Sequence, residues 1–576
     1  MTNDSFSPGQ SITGTEGQIA HPDTIAHSSR LERKLYASGS NSWTLVGNGL
    51  SNQSFVQGPE GLIVIDTGEC VEEMESAMSE IRKVTDAPVV ACIYTHFHYV
   101  GGTSALNAYA DDNIEIYGHS GIEANLKRFG GEIAPRVTRG LVHQFALTLP
   151  ANGPDGVVNV GLGKFFRNPD HAPFTPGHLP AHHTFNEPAN FTIAGLKVEF
   201  LPAPSDATDS VTVWFPELKL AINNLLWPAL FNIFAIRGEE YRDPRVLLNG
   251  LADLRKLGAE SLFGAHGPPL EGHDDIAQSI DKYGDSIQFL WDQTVRGANL
   301  GLSLDELISF VQLPDSYKDN YLTTQLYGVA EHHVRQIYNG LFGWFDEDES
   351  HLFPTPAPER AKKLIAGFGG VAKVRQSIDQ ALAENDFRWA IEVSSWLVRS
   401  ELNAKGRTDA GDTEDRARLA TGLRGVAQST TSANVRNWCL TRALELNGIT
   451  NLERFRIHRF RASDVLAKPG TESVGILRVL LQPDLTEGMN TELCVKFENG
   501  SQAGLHVRNH VARATDGSQA TLSLELDQKV WAQILGGKQS LSKALESGDA
   551  VARPNDKTVS AFFTCFDLEA FRETSS

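Results

Sequence analysis

The sequence predicts an α/β domain, followed by an all-α region and a small α+β domain. Three observations carry that prediction. Between residues 34 and 276, short apolar runs rich in β-branched residues alternate with helical patterns, the order expected where helices pack on a sheet. From residue 277 to about residue 423 helical periodicity dominates and strand signals are few. Beyond residue 427 strand-like alternation returns before helical patterns close the chain. The predicted division is a polar N-terminal tail (1–33), the α/β domain (34–276), the helical region (277–426) and the α+β domain (427–576).

The elements follow in order. Residues 1–27 are polar and rich in Ser, Thr and Gly, with no basic n-region and no apolar h-region. This is not the pattern of a secretory leader, and partial disorder is expected. Residues 42–46 and 54–58 read as hairpin strands. Gly61-Leu62-Ile63-Val64-Ile65-Asp66-Thr67-Gly68 reads as a buried strand ending in an acid and a Gly turn, with a helix over 71–84 behind it. Another buried strand, 89–93, runs into Thr95-His96-Phe97-His98-Tyr99-Val100-Gly101-Gly102. In an extended segment, residues two apart lie on one side, so His96 and His98 are placed to share a metal ion. Residues 114–117 continue the sheet. Residues 130–188 are rich in Gly, Pro and His and read as a long loop, the kind that walls or lids a site. Strands resume at 191–200 and 211–215.

In the helical region, Ser303-Leu304-Asp305-Glu306 carries a capping signature. Residues 373–397 are amphipathic, with apolar positions three or four apart. Residues 404–418 are polar and charged and read as a linker. In the third region 435–446 reads as a helix. Strands are expected at 474–481, 492–497, 504–508 and 520–524, forming a sheet with one face covered by helices.

The formal net charge of −20 argues against a nucleic-acid partner, which needs basic surface, and against docking on anionic membranes. No apolar run approaches a spanning length, so no membrane insertion is expected. The five cysteines, Cys70, Cys92, Cys439, Cys494 and Cys565, lack CxxC spacing. They suit a reducing, cytoplasmic setting better than a disulfide framework.

A strand ending in Asp66, a helical stretch and a strand ending in Thr95-His96-Phe97-His98 together resemble the metallo-β-lactamase fold, an αββα sandwich. Further stretches resemble one branch of that superfamily, the alkylsulfatases of the SDS-hydrolase type. They are Leu50-Ser51-Asn52, Gly161-Leu162-Gly163-Lys164, Phe215-Pro216-Glu217-Leu218-Lys219, Asn232 to Arg237-Gly238, and Arg242-Asp243. Val311-Gln312-Leu313-Pro314, Tyr327-Gly328 and Gly343-Trp344-Phe345-Asp346 resemble the dimerisation domain of that branch, which implies a homodimer. The third region resembles its sterol-carrier-like domain, which implies an apolar tunnel able to take an alkyl chain.

The resemblance implies a metal site, and here the chain departs from its family. The family run is THxHxDHxGG. In this chain the Asp-His pair is missing and the loop is two residues shorter. Members hold two zinc ions: one on the two histidines of THxH and a Glu, the second on the Asp-His pair and a late His, with a further Glu between them. His96 and His98 match the first two ligands. The first Glu falls on Asp206, for which Asp209 is an alternative. The bridging Glu falls on Asn224, or on Asn223 if the register is off by one. The late His falls on His266, in Gly264-Ala265-His266-Gly267-Pro268. The implied centre is one metal ion, zinc first and iron or manganese next, held by His96, His98 and Asp206. His266 completes the shell or serves as acid/base. Asp66 would orient the metal loop. Asn232 and Arg237 match positions that bind sulfate in the family, where Arg offers a bidentate fork. The alternative for Arg237 is an ion pair with Glu239 or Asp243. His171, His178, His182 and His183, in the long loop, are candidates to replace the lost pair.

The function implied is metal-dependent hydrolysis of alkyl sulfate esters or a related ester, with water activated at the metal as nucleophile. Two rival readings are a different metal-dependent reaction on the same scaffold and a non-catalytic, lipid-binding dimer.

Overall fold

Two sheets face each other across one apolar layer. The computed structural model describes residues 5–318, 320–403, 406–407 and 411–572. The first sheet has seven strands in chain order: Lys34–Ser38, Ser42–Val46, Gln53–Gly58, Gly61–Ile65, Val89–Ile93, Glu115–His119 and His183–Phe185. The first four pair antiparallel and the last three join in parallel. The second sheet also follows chain order: Ala189–Ile193, Leu196–Pro202, Val211–Phe215, Leu220–Asn223, Ser261–Gly264 and Leu270–Glu271. Its pairs are antiparallel except Leu220–Asn223 with Ser261–Gly264.

The layer between the sheets explains the continuous apolar runs. Ile63, Ile65, Ala91 and Ile93 of the first sheet pack with Val198, Phe200, Val213, Ile222 and Phe263 of the second. Helix Val71–Ile81 buries Met74, Ala77, Met78 and Ile81, and Leu247, Leu251 and Leu254 of helix Pro244–Lys256 pack with Ile276 and Ile280 of helix His273–Asn299 over Leu262. The arrangement is the αββα sandwich that the family resemblance implies. An all-helical region follows it. Helix Leu304–Phe310 carries both arms of the capping box between Ser303 and Glu306, and the amphipathic stretch forms helices Val371–Ala383 and Phe387–Arg399.

The chain folds as two compact units, residues 1–126 with 139–452 and residues 127–138 with 453–576. The second contains a mixed sheet of Asn490–Phe497, Gln502–Arg508, Val511–Thr515, Leu522–Leu526 and Ala550–Arg553. Leu493, Val495, Leu505, Leu524 and Trp531 share its core.

Three sequence expectations differ from the structure. Residues 474–481 form no strand. They belong to helix Gly470–Ile476 and a 3-10 turn, Leu477–Leu480, and the fully buried pair Val474 and Leu477 is spaced for a helix, not a strand. The described part of the N-terminal tail, residues 5–33, packs in place. It is held by polar bonds that hydropathy does not register. Ser7 N–H donates to Ser429 O at 2.8 Å, Thr24 Oγ1 to Thr431 O at 3.0 Å, and Arg436 Nη2 to Ile19 O at 3.2 Å. Within the long stretch 130–188, Ala134–Gln144 is a helix. Of the polar stretch 404–418, residues 404–405 and 408–410 lie outside the described residues, and helix Thr413–Ser429 begins within it.

Candidate metal centre

The strand Val89–Ile93 delivers His96 in extended conformation, and a 3-10 turn over Phe97–Tyr99 follows at once. The turn, rather than strand alternation, brings His98 back beside His96. Their rings meet edge-on with centroids 5.0 Å apart. Asp209 holds this turn, since its Oδ2 accepts from Phe97 N at 3.0 Å and its Oδ1 from Asn125 Nδ2 at 3.1 Å. Burial raises the Asp209 carboxyl to about 6.

Asp206 is the carboxylate that meets the two histidines. Its Oδ2 lies 3.2 Å from His98 Nδ1 and its Oδ1 4.0 Å from His96 Nε2. One ligand atom from each of His96, His98 and Asp206 lies within 4.8 Å of the others. Burial disfavours the charge on Asp206, but the hydrogen bond from His98 and the Arg242 guanidinium outweigh it and hold the carboxyl well below its usual range. Burial takes the His96 imidazole down to about 3, so the ring is neutral.

The backbone fixes which nitrogen of His96 faces the site. Asp66, in left-handed conformation at φ 58°, turns its carboxylate back to accept from Thr95 N at 2.8 Å and Thr95 Oγ1 at 2.6 Å. With its proton given to Asp66, Thr95 Oγ1 accepts from His96 Nδ1 at 2.9 Å. The Nε2 lone pair is thereby left toward Asp206. Gly101 and Gly102 close the loop because a Cβ at either would strike a carbonyl oxygen, Glu69 O or Thr67 O.

Around this trio stand the other sequence candidates. Asn224, not Asn223, reaches it. Asn224 Nδ2 donates to Asp206 Oδ1 at 2.7 Å, whereas Asn223 Nδ2 is spent on Phe263 O. His266 is buried, with its ring taken down to about 4 by burial. Its Nδ1 lies 3.1 Å from Leu50 O and its Nε2 3.3 Å from the Tyr99 hydroxyl, and it is outside the grouping of three among the described residues. Arg237 is ion-paired with Glu239, which also pairs with Arg242, all three side chains being less than a tenth exposed. Asp243 is not Arg237's partner; it caps helix Pro244–Lys256 and pairs with Arg245. Asn232 is 1% exposed and its side-chain amide has no hydrogen-bond partner among the described residues. The loop histidines go elsewhere: His171 is buried apart from the trio, His178 pairs with Glu123 and His183 with Glu115 at 2.7 Å each, and His182 Nδ1 accepts from Ile116 N.

Sequence reasoning missed two participants. Tyr99 stacks edge-on against both His96 (4.9 Å) and His266 (5.5 Å). Its signal was its position, where the family run carries its Asp-His pair. Glu239 lies 3.9 Å from His98 Nε2; it was visible only as a neighbour for Arg237. Two imidazoles and one carboxylate, converging in one place, suit a divalent ion such as zinc.

The metallo-beta-lactamase superfamily profile matches residues 46–222, and the alkyl sulfatase dimerisation profile matches residues 303–448. A linear primary-alkylsulfatase from a Pseudomonas strain is 32% identical over 533 residues, covering 89% of this chain and 98% of that protein. An (R)-specific secondary-alkylsulfatase, also from Pseudomonas, is 25% identical over 538 residues, covering 90% and 78%. The solved structure of the stereoselective inverting sec-alkylsulfatase Pisa1 from Pseudomonas sp. superposes with a TM-score of 0.81 at 22% identity, over 98% of this chain and 93% of that one. That likeness carries the fold alone.

Proposed function

Because the chain belongs to the alkylsulfatases of the metallo-β-lactamase superfamily, we propose that it hydrolyses alkyl sulfate esters at a zinc centre held by His96, His98 and Asp206. The observation that carries the reading is the convergence of those three ligands beside the buried guanidinium groups of Arg237 and Arg242. A divalent ion there supplies Lewis acidity and lowers the pKa of a water molecule bound to it. The chain's own residues do the rest. Thr95 and Asp66 keep the His96 lone pair aimed inward, and Asn224 orients Asp206. Arg237 and Asn232 receive the sulfate group. Arg237 and Arg242 offer guanidinium forks to an anion. The unpartnered amide of Asn232 suits a ligand oxygen. His266 stands ready to exchange a proton through Tyr99. Purified protein supplied with zinc is expected to release inorganic sulfate from dodecyl sulfate; no release from linear or secondary alkyl sulfates would overturn the reading.

The helical region forms the dimer interface. Within residues 303–448 the side chains of Phe342, Trp344 and Phe353 are 52%, 68% and 97% exposed. Covering each contributes roughly 1.5–3 kcal/mol, and obligate dimers bury such surface. Light scattering is expected to give twice the chain mass of 63.0 kDa, and the double variant Trp344→Arg, Phe353→Arg to give one chain mass. No helix of the described residues is long and apolar enough to cross a membrane, and five buried, unpaired cysteines fit a cytoplasmic setting.

A further inference from the structure

The two residues of this chain that match the family's second-ion positions, Asn224 and His266, are each engaged in direct hydrogen bonds. The first is Asn224. Trp227 Nε1–H can only donate, and it lies 3.1 Å from Asn224 Oδ1. The carboxamide oxygen therefore faces Trp227. Its NH2 group faces Asp206 Oδ1 at 2.7 Å and His96 Nε2 at 3.4 Å. A residue between two cations must offer a lone pair, and this one offers protons.

The second is His266. Leu50 O can only accept, so the 3.1 Å contact puts the imidazole proton on Nδ1. The remaining lone pair, on Nε2, lies 3.3 Å from the Tyr99 hydroxyl, which is placed to donate to it. Tyr99 is 4% exposed, with its ring between His96 and His266. The shortened loop puts it there. Tyr99-Val100 runs directly into the glycines, with Val100 bridged to Gly68 and Tyr99 O accepting from Thr67 N at 2.8 Å. Trp227 closes the cluster, its ring 5.6 Å edge-on from His266.

We propose that the centre is mononuclear, and that a hydrogen-bonded plug of Tyr99, His266, Asn224 and Trp227 fills the place of a second ion. His266 is then an acceptor for Tyr99 and not a metal ligand. Within the plug Asn224 reaches Asp206 and the Tyr99 ring packs edge-on against His96. This rests on the metal centre proposed above, but not on the reaction assigned to it.

The test is stoichiometry. Full-length protein, purified without chelator, is titrated with cobalt(II) and followed by its visible absorption. Zinc-loaded protein is analysed in parallel by native mass spectrometry and elemental analysis. The expected end-point is one ion per chain. His266→Ala and Tyr99→Phe are each expected to keep one ion, with a metal Kd within about threefold of the parent. Asp206→Asn is expected to weaken binding by a hundredfold or more. Two ions per chain in the unaltered protein, or a hundredfold weaker binding in His266→Ala, would overturn the plug. The cobalt titration needs no variant and so does not depend on whether His266→Ala folds. Sulfate release with two ions bound would leave the proposed reaction standing and remove the plug; one ion without sulfate release would do the reverse.

Discussion

Replacing His96 by alanine is expected to remove the bound ion and lower sulfate release by roughly a thousandfold or more, since the ion's nucleophile-generating role is lost with it. His96 is fully buried, already neutral at physiological pH, and set in one tautomer by the relay from Asp66 through Thr95. A ring so prepared loses little orientational freedom on binding a metal. Alanine leaves the relay intact and removes only the ligand. The relay has its own smaller effect. Asp66→Asn disturbs the partner of Thr95 and should cost roughly 10–100-fold, the range for residues that orient a metal ligand. The ordering of the two aspartates separates their roles. Asp206→Asn is expected to match His96→Ala, because its oxygens face both imidazoles. Asp209→Asn is expected to fall short of it, because Asp209 supports the turn at Phe97 N. Dodecyl sulfate turnover, with metal content measured on the same preparations, checks the set. Turnover that survives the loss of both His96 and His98 would sink the metal mechanism.

Much of this architecture was legible in residue pattern. The runs at 61–65 and 89–93 are β-branched and unbroken because those strands are buried almost throughout, one face against the second sheet. The capping box at Ser303 is a local signal, and it appears as read. The proximity of His96, His98 and Asp206 followed from counting between motifs, a step that needed the resemblance.

What escaped was what depends on contacts distant in sequence. Val474-Gly475-Ile476-Leu477 has strand-like composition, and only the burial of Val474 and Leu477 together reveals a helix face. The N-terminal segment has few apolar residues to bury, so its order rests on bonds to residues more than 400 positions away, such as Thr24 to Thr431. His98 reaches His96 through a tight turn that alternation does not describe. Tyr99 looked like filler in a shortened motif, because a phenol is not a ligand type and its partner His266 lies 167 residues on. For the tail and for Tyr99 the chemistry was present in the sequence but the partner was not adjacent.

Loss of the charge on Glu239 is expected to be the largest single destabilisation in the site. Its carboxylate sits between Arg237 and Arg242, and the three side chains are 4%, 9% and 3% exposed respectively. Burial disfavours the ionised carboxyl, yet the two guanidinium groups keep it below its ordinary range. Arg242 also donates through Nη1 to Asn232 O, tying the network to the segment that carries the unpartnered amide. Glu239→Gln would leave two buried guanidinium groups without the carboxylate they share. Breaking a buried pair this way costs roughly 3–5 kcal/mol, far more than a surface ion pair. The expected result is a clear fall in the denaturation midpoint, with sulfate release lost alongside it. A triple replacement, Arg237→Met, Glu239→Leu and Arg242→Met, separates the two effects. Apolar groups of similar volume can stand in for a buried ionic network at little cost, so the midpoint should recover most of its value. Activity should not, because the guanidinium groups that would hold the sulfate anion are gone. If Glu239→Gln unfolds at the parent midpoint, the network is solvated and the anion site must be sought elsewhere. If the triple variant regains both stability and turnover, Arg237 and Arg242 serve the fold alone.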